Sequence, residues 1–385
     1  MSADFAVWGS LQAVRPVILA CFLPILLYRV WRVVRHPTSV PAIAATAFGV
    51  SLWFWILVFI DAVWSVLPPI VHAVSIGGWA AISLGAYLQV FIIGIAGDTS
   101  PARIRRGLRT TSLVAIIALI VVAMLVSQSP VLMSAGDGYE LAAALYSGGD
   151  PWALAALVIS DVYLMAVVVQ LAWIGFRHAD RTPLGVGLGL MAIAGMFQFA
   201  ASLFGGIWAP LAGGEGLMGS AFGRWLQTWP GCIAAILMLA GFLWPPVMLR
   251  VQARRELRRL RPLHEALAGM FPGLFPPVES RIRSSDLVFE WTTHVQDGLT
   301  LLAQSRRVPL TADSPPPKGS AERSLNVANW LVGEAVPEFS CDWLRPPEGV
   351  SEGTWLLAIA DAYRERQERL EAPASLSGMP STLRR

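Results

Sequence analysis

Long apolar runs alternate with short polar linkers up to residue 249, and amphipathic segments follow. A helix needs about 20 mostly apolar residues to cross a hydrocarbon core about 30 Å thick. Seven runs meet that length, at 9–30, 41–64, 69–96, 110–128, 152–176, 184–208 and 226–249. Hydrocarbon offers backbone N–H and C=O groups no partners, so each run is expected to be helical. Beyond Leu249, the spacing of Leu257, Leu260, His264 and Leu267 extends the last run into a helix that Pro262 is expected to break. Val288, Trp291, Val295, Leu299 and Leu302 predict a helix over 281–304. Further helices are predicted at 320–336 and 351–370, the latter with Ser351 as N-cap and Leu356, Ile359 and Tyr363 as its apolar stripe. VPLTADSPPPKG at 308–319 reads as a flexible, polyproline-like linker. The fold class is therefore all-α. A seven-helix transmembrane domain (1–249) precedes a small cytosolic helical domain (250–371) and a disordered tail (372–385).

Charge sharpens this division. Of 385 residues, 55% are hydrophobic and 14% charged, against about 25% charged in soluble domains. Residues 1–249 hold 20 Asp, Glu, Lys and Arg and residues 250–385 hold 35, so the deficit belongs to the apolar runs alone. A soluble single domain, a disordered chain and a disulfide scaffold are excluded. Arginines cluster in alternate linkers, at Arg29, Arg32 and Arg35, at Arg103, Arg105, Arg106 and Arg109, and at Arg177 and Arg181. Arg250, Arg254, Arg255, Arg258, Arg259 and Arg261 follow the last run. The positive-inside rule places these ends in the cytoplasm, with the N-terminus outside and the C-terminus inside a cell-membrane, multi-pass protein. The last cluster is a candidate lipid-facing site for anionic headgroups.

Charged groups at membrane depth cost at least about 2.5–3.5 kcal/mol each on insertion scales. Four stand out: Arg15, Asp61, His72 and Asp161. By span position all lie in the outer half or at the midplane, which suggests one outward-facing polar pocket with Arg15 pairing with Asp161 or Asp61, and His72 with Asp61. An acid so placed suits proton or solute coupling, with Asp161 as the titrating group. Ala73, Gly77, Ala81 and Gly85 form a small-residue stripe, and Gly185 and Gly189 repeat the spacing. Such stripes allow close helix approach, within one bundle or across a dimer. Pro24, Pro230, Pro245 and Pro246 are expected to bend their helices.

Catalytic signatures are missing. There is no phosphate-binding GxxxxGK[ST], no HExxH and no GxSxG. Cys21, Cys232 and Cys341 form no CxxC pair. No metal, cofactor, nucleic-acid or enzymatic role is expected. The seven runs, together with Leu260–Arg261–Pro262–Leu263, Ala266–Leu267, Phe271–Pro272, Asp297–Gly298 and the late Trp355–Leu356 pair, resemble an actinobacterial membrane-protein family known as the MAB-type transporter family. Gln296 departs from it, standing where that family often carries a basic residue. The resemblance implies seven spans with a C-terminal cytosolic domain, and names no substrate or catalytic residue. Two functions fit: a secondary transporter for a small solute, or a receptor passing an external signal to the cytosolic domain and a protein partner of residues 250–371.

Overall fold

A computed structural model describes residues 3–35, 40–95, 101–134, 141, 149–213, 221–273, 284–311 and 315–377. No strand occurs among them. The chain divides into two compact units, Met1–Pro245 and Pro246–Arg385.

The first unit is a helical bundle. Its helices are α1 (Ala3–Arg35), α2 (Val40–Val58), the short α3 (Asp61–Trp64), α4 (Pro69–Ile76), α5 (Trp79–Ile95), α6 (Pro101–Gln128), α7 (Pro130–Met133), α8 (Pro151–Arg177) and α9 (Pro183–Ala201). A π-helical turn, Ser202–Trp208, and α10 (Ala209–Leu211) continue α9. The last helix, α11, runs from Ala221 to Met270 and so belongs to both units. Among the described residues six helices are long and apolar enough to cross a membrane, or seven if the bent pair α4–α5 is counted as one span. Leu113, Ile116, Ile117 and Ile120 on α6, and Val162, Val169 and Trp173 on α8, stay exposed. Water would penalise so large an apolar surface, and lipid does not. These are the features of an integral, multi-pass membrane protein.

Two expected spans contain breaks. The 41–64 run stops at Val58 and restarts as α3 after Phe59 and Ile60. The 69–96 run bends by 54° between α4 and α5. Gly78 makes that bend with φ +98°, and a Cβ there would meet the Ser160 hydroxyl oxygen at 1.9 Å. Only glycine has both the conformational freedom and the room. The small-residue stripe is spent on this packing: an added Cβ on Gly77 would meet Val126, and one on Gly85 would meet Tyr163. Gly185 instead lies against Asp180 of its own capping turn, where Thr182 accepts from the Gly185 N–H at 3.1 Å. The prolines do not end their helices, since α11 runs through Pro230, Pro245, Pro246 and Pro262.

Helix α8 is central. It packs on α5, α6, α9 and the π-helical turn, and its Ala156, Val167, Val168 and Leu171 are buried. Its start is fixed by Asp150, whose Oδ1 accepts from the N–H groups of Trp152 (2.9 Å) and Ala153 (3.3 Å). The Ser129 hydroxyl donates to Asp150 Oδ2 at 2.5 Å and itself accepts from the Leu132 N–H at 3.0 Å, capping α7. One buried pair thereby closes the loop 129–151, whose Asp137 and Glu140 lie outside the described residues.

The second unit packs the end of α11 with α12 (Ser284–Ser305), α13 (Ser320–Leu331), a 3₁₀ turn (Cys341–Leu344) and α14 (Glu352–Ser377). Leu260, Leu263 and Leu267 meet Val295, Leu299, Trp330, Trp355 and Ile359 in one core. Trp355 is fully buried and its indole N–H donates to the Leu344 carbonyl at 2.8 Å. Ser351 accepts from the Thr354 N–H at 3.4 Å, as an N-cap does. The linker 308–319 is non-helical where described, and its first residues are pinned: the Cys341 N–H donates to Pro309 at 2.9 Å. Helix α14 extends past the expected tail boundary at Ala372, and residues 378–385 lie outside the described residues.

Candidate functional site

Described contacts sort the four charged span residues into two places. Arg15 and Asp61 meet at the α2–α3 break. There the helix stops, and the Phe59 carbonyl accepts from Arg15 Nη1 (2.5 Å) and Gln12 Nε2 (2.9 Å). Gln12 also donates to Asp61 Oδ1 at 2.7 Å, so the amide bridges the carbonyl and the carboxylate. The Arg15 guanidinium lies 5.7 Å from the Phe59 ring, and Phe59 stacks on Trp64 at 5.6 Å.

His72 extends this ladder rather than pairing with Asp61. Its ring stacks on Trp64 with centroids 4.0 Å apart and planes 6° from parallel, and Nε2 lies 2.8 Å from the Trp64 carbonyl. A carbonyl accepts only, so Nε2 is the donor here, and Nδ1 is buried without a hydrogen-bond partner among the described residues. Arg15 and His72 therefore hold this region through backbone carbonyls and rings, and Asp61 joins it through the Gln12 amide.

Asp161 stands elsewhere, without the expected Arg15. It is ten residues into α8, roughly 15 Å along the axis at 1.5 Å per residue. Its neighbours belong to the π-helical turn after α9. The Ser202 hydroxyl is its hydrogen-bond partner, and Gln198 Nε2 donates to the same hydroxyl at 3.4 Å. Gly206 lies directly against the carboxylate, so close that a Cβ there would fall 2.0 Å from Oδ2. Among the described residues no Arg, Lys or His is paired with Asp161. π-Turns are rare and concentrate at functional sites. This one widens the helix by a residue where Gly205 and Gly206 present bare backbone, and the widening makes room for an acid from the neighbouring helix.

Sequence reasoning singled out Asp161 but not its surroundings. The available signal was the Ser202–Leu203–Phe204–Gly205–Gly206 stretch inside an apolar run: a hydroxyl and two adjacent glycines have no purpose in a lipid-facing helix. Gln89 and Tyr163 form a separate polar contact, with the Tyr163 hydroxyl donating to Gln89 Oε1 at 3.3 Å. The basic cluster after Leu249 is divided. Arg259 bonds Asp361 at 2.5 Å and Arg261 bonds Glu265 at 2.7 Å, both inside the second unit. Arg250, Arg254, Arg255 and Arg258 are exposed. Groups of His, Cys, Asp and Glu able to hold a metal are absent among the described residues.

No family model, no curated protein and no solved structure matches the chain.

Proposed function

We propose that this integral membrane protein is a secondary transporter in which Asp161 is the coupling group, with its N-terminus outside and its C-terminus in the cytoplasm. One observation carries this reading. A carboxylate midway along a span faces a hydroxyl and a bare glycine, with no described cation beside it. Such a charge must be offset by a proton, a cation or a cationic solute. A group that takes up and releases its counter-charge is what coupling requires. The π-helical turn supports the same reading, because irregular backbone inside a membrane is tolerated where it serves a protein-lined site.

The test is proton movement in proteoliposomes holding the full chain and an entrapped pH dye, under an imposed membrane potential. Wild type acidifies or alkalinises the lumen, and Asp161→Asn does not. Equal flux in the two sinks the coupling role. A lipophilic carbodiimide gives an independent readout, since it reacts with protonated carboxyls in membranes. Its adduct is expected on Asp161, with a pH-dependent yield.

A second reading is a receptor, and one observation favours it. Helix α11 runs unbroken over 50 residues from the bundle into the second unit's core. Deletion of 271–385 separates the readings: a transporter keeps its flux, and a receptor loses its output.

A further inference from the structure

We propose that Asp161 exchanges its charge with protons alone, a step beyond the coupling role on which this rests, and that Ser202, oriented by Gln198, is the positioning residue that serves both of its charge states. A proton, a metal cation and a cationic solute could each offset the carboxylate. The surroundings of Asp161 choose among them.

The Gly206 backbone stands against the head of the carboxylate, where an added Cβ would overlap both oxygens. A metal cation binds carboxylate oxygens at that head, and hard cations gather several further oxygens around themselves. An ammonium group brings its own hydrogens and is bulkier still. A proton lies within the electron cloud of the oxygen that takes it, so it needs no room. In that step one O–H bond forms at a carboxylate oxygen as a hydronium ion gives up its proton and becomes water. The same bond breaks when the proton returns to a water molecule.

The described hydrogen-bond partner of the carboxylate is the Ser202 hydroxyl, and Ser202 is only 3% exposed. A serine hydroxyl has one donor and two acceptor sites. Gln198 lies one turn earlier on the same helix face, and its Nε2 donates to the hydroxyl oxygen at 3.4 Å. That contact takes one acceptor site and leaves the hydroxyl hydrogen for Asp161. Once Asp161 is protonated, its own O–H can donate to the second acceptor site. The same two side chains therefore serve the charged and the neutral acid. A metal ion that bound both oxygens would have to come between them, and this buried pair would have to part.

Infrared spectroscopy of the full chain in lipid tests the proposal, because a protonated carboxyl has a C=O stretch that a carboxylate lacks. The band that Asp161→Asn removes should vanish as the pH is raised. At fixed pH it should be unchanged by sodium, potassium or methylammonium chloride, with choline chloride as the ionic-strength control. Ser202→Ala should move the band to higher frequency, as for a carboxyl that has lost a hydrogen bond, and cut proton flux at least about tenfold. Ser202→Thr keeps the hydroxyl and should restore both. Gln198→Leu should move the band the same way by less, and it covers the case in which the alanine variant folds poorly. Loss of the band on adding any of these cations except choline overturns the proton-only site, yet leaves Asp161 as the coupling group if Asp161→Asn still abolishes flux. A wild-type band and flux in both Ser202→Ala and Gln198→Leu overturns the positioning role. Absence of an Asp161-dependent band at every pH overturns the whole proposal, and equal flux in Asp161→Asn and wild type overturns the coupling role beneath it.

Discussion

Arg29 and Arg15 show one device used twice. Each guanidinium ends on a carbonyl that its own helix has released. Proline has no N–H, so Pro246 leaves the carbonyl four residues back, Phe242, without its helical donor. Arg29 supplies that donor at 3.1 Å. Phe59 is freed instead by the end of α2, and Arg15 reaches it at 2.5 Å. A double-mutant cycle isolates the first case. Arg29→Gln should lower bundle stability by about 1–2 kcal/mol, as for a hydrogen bond from a charged donor. In Pro246→Ala the alanine N–H reclaims Phe242, and the same substitution should cost clearly less. Thermal melting of the four variants in one detergent gives the coupling, and additive losses would remove Pro246 from the account. Gly206→Ala is the matching probe at Asp161. The added methyl would overlap the carboxylate, so the acid must leave Ser202 or the π-helical turn must deform. The expected outcome is a folded protein with altered carbodiimide labelling at Asp161 and proton flux reduced at least about tenfold, a loss of roughly 1.4 kcal/mol of transition-state stabilisation.

At the level of elements, the loop between α6 and α8 depends on one acid. Burial pushes the Asp150 carboxyl up, but the hydrogen bonds from Ser129, Ala153, Trp152 and Val131 together outweigh it and hold the group below the usual carboxylate value. A lowered folded pKa means that the stabilisation is complete above the unfolded value, about 3.9. It is lost as pH falls through the folded value. Asp150→Ala should therefore destabilise by about 1–2 kcal/mol at neutral pH, as cap removal does. The wild-type advantage should fade below about pH 4. Melting temperatures of the two proteins across pH 3–7 check this, and a gap that stays constant would contradict it. The elements themselves were legible, because span length is a property of one run of residues. Runs such as 110–128 and 152–176 lie inside α6 and α8. Their interruptions were not. Nothing in Val58–Phe59–Ile60 announces a break, and Gly77–Gly78 reads as one stripe with Ala73 and Gly85 until Ser160 is known to sit against it. The four charged or titratable residues in or beside the apolar runs were visible for the same local reason that made the runs visible. Their partners were not, because Gln12 with Asp61 and Asp161 with Ser202 are joined only by the fold.

For the whole molecule, the decisive question is whether the second unit takes part in what the bundle does. Its core converges on Trp355, which touches the 3₁₀ turn through Leu344 and lies 5.5 Å from the buried Arg323 guanidinium. Arg323 in turn donates to the carbonyls of Asp342 and Trp343, so one side chain links α13, the turn and α14. Removing a buried tryptophan costs about 3–5 kcal/mol, which is a large part of a small domain's total stability. Trp355→Ala should therefore loosen this unit while leaving untouched the apolar packing of the bundle, whose cores contain none of its residues. Limited proteolysis should open sites between 284 and 377 while peptides from the spans remain protected. If Asp161 alone couples transport, proton flux in such a variant should stay within about twofold of wild type, less than 0.5 kcal/mol in the barrier. If α11 instead transmits a state from the bundle to a folded partner domain, whatever output the protein has must collapse with Trp355→Ala although Asp161 still titrates. The same substitution thus yields opposite results under the two readings, and it does so without altering a residue of the bundle.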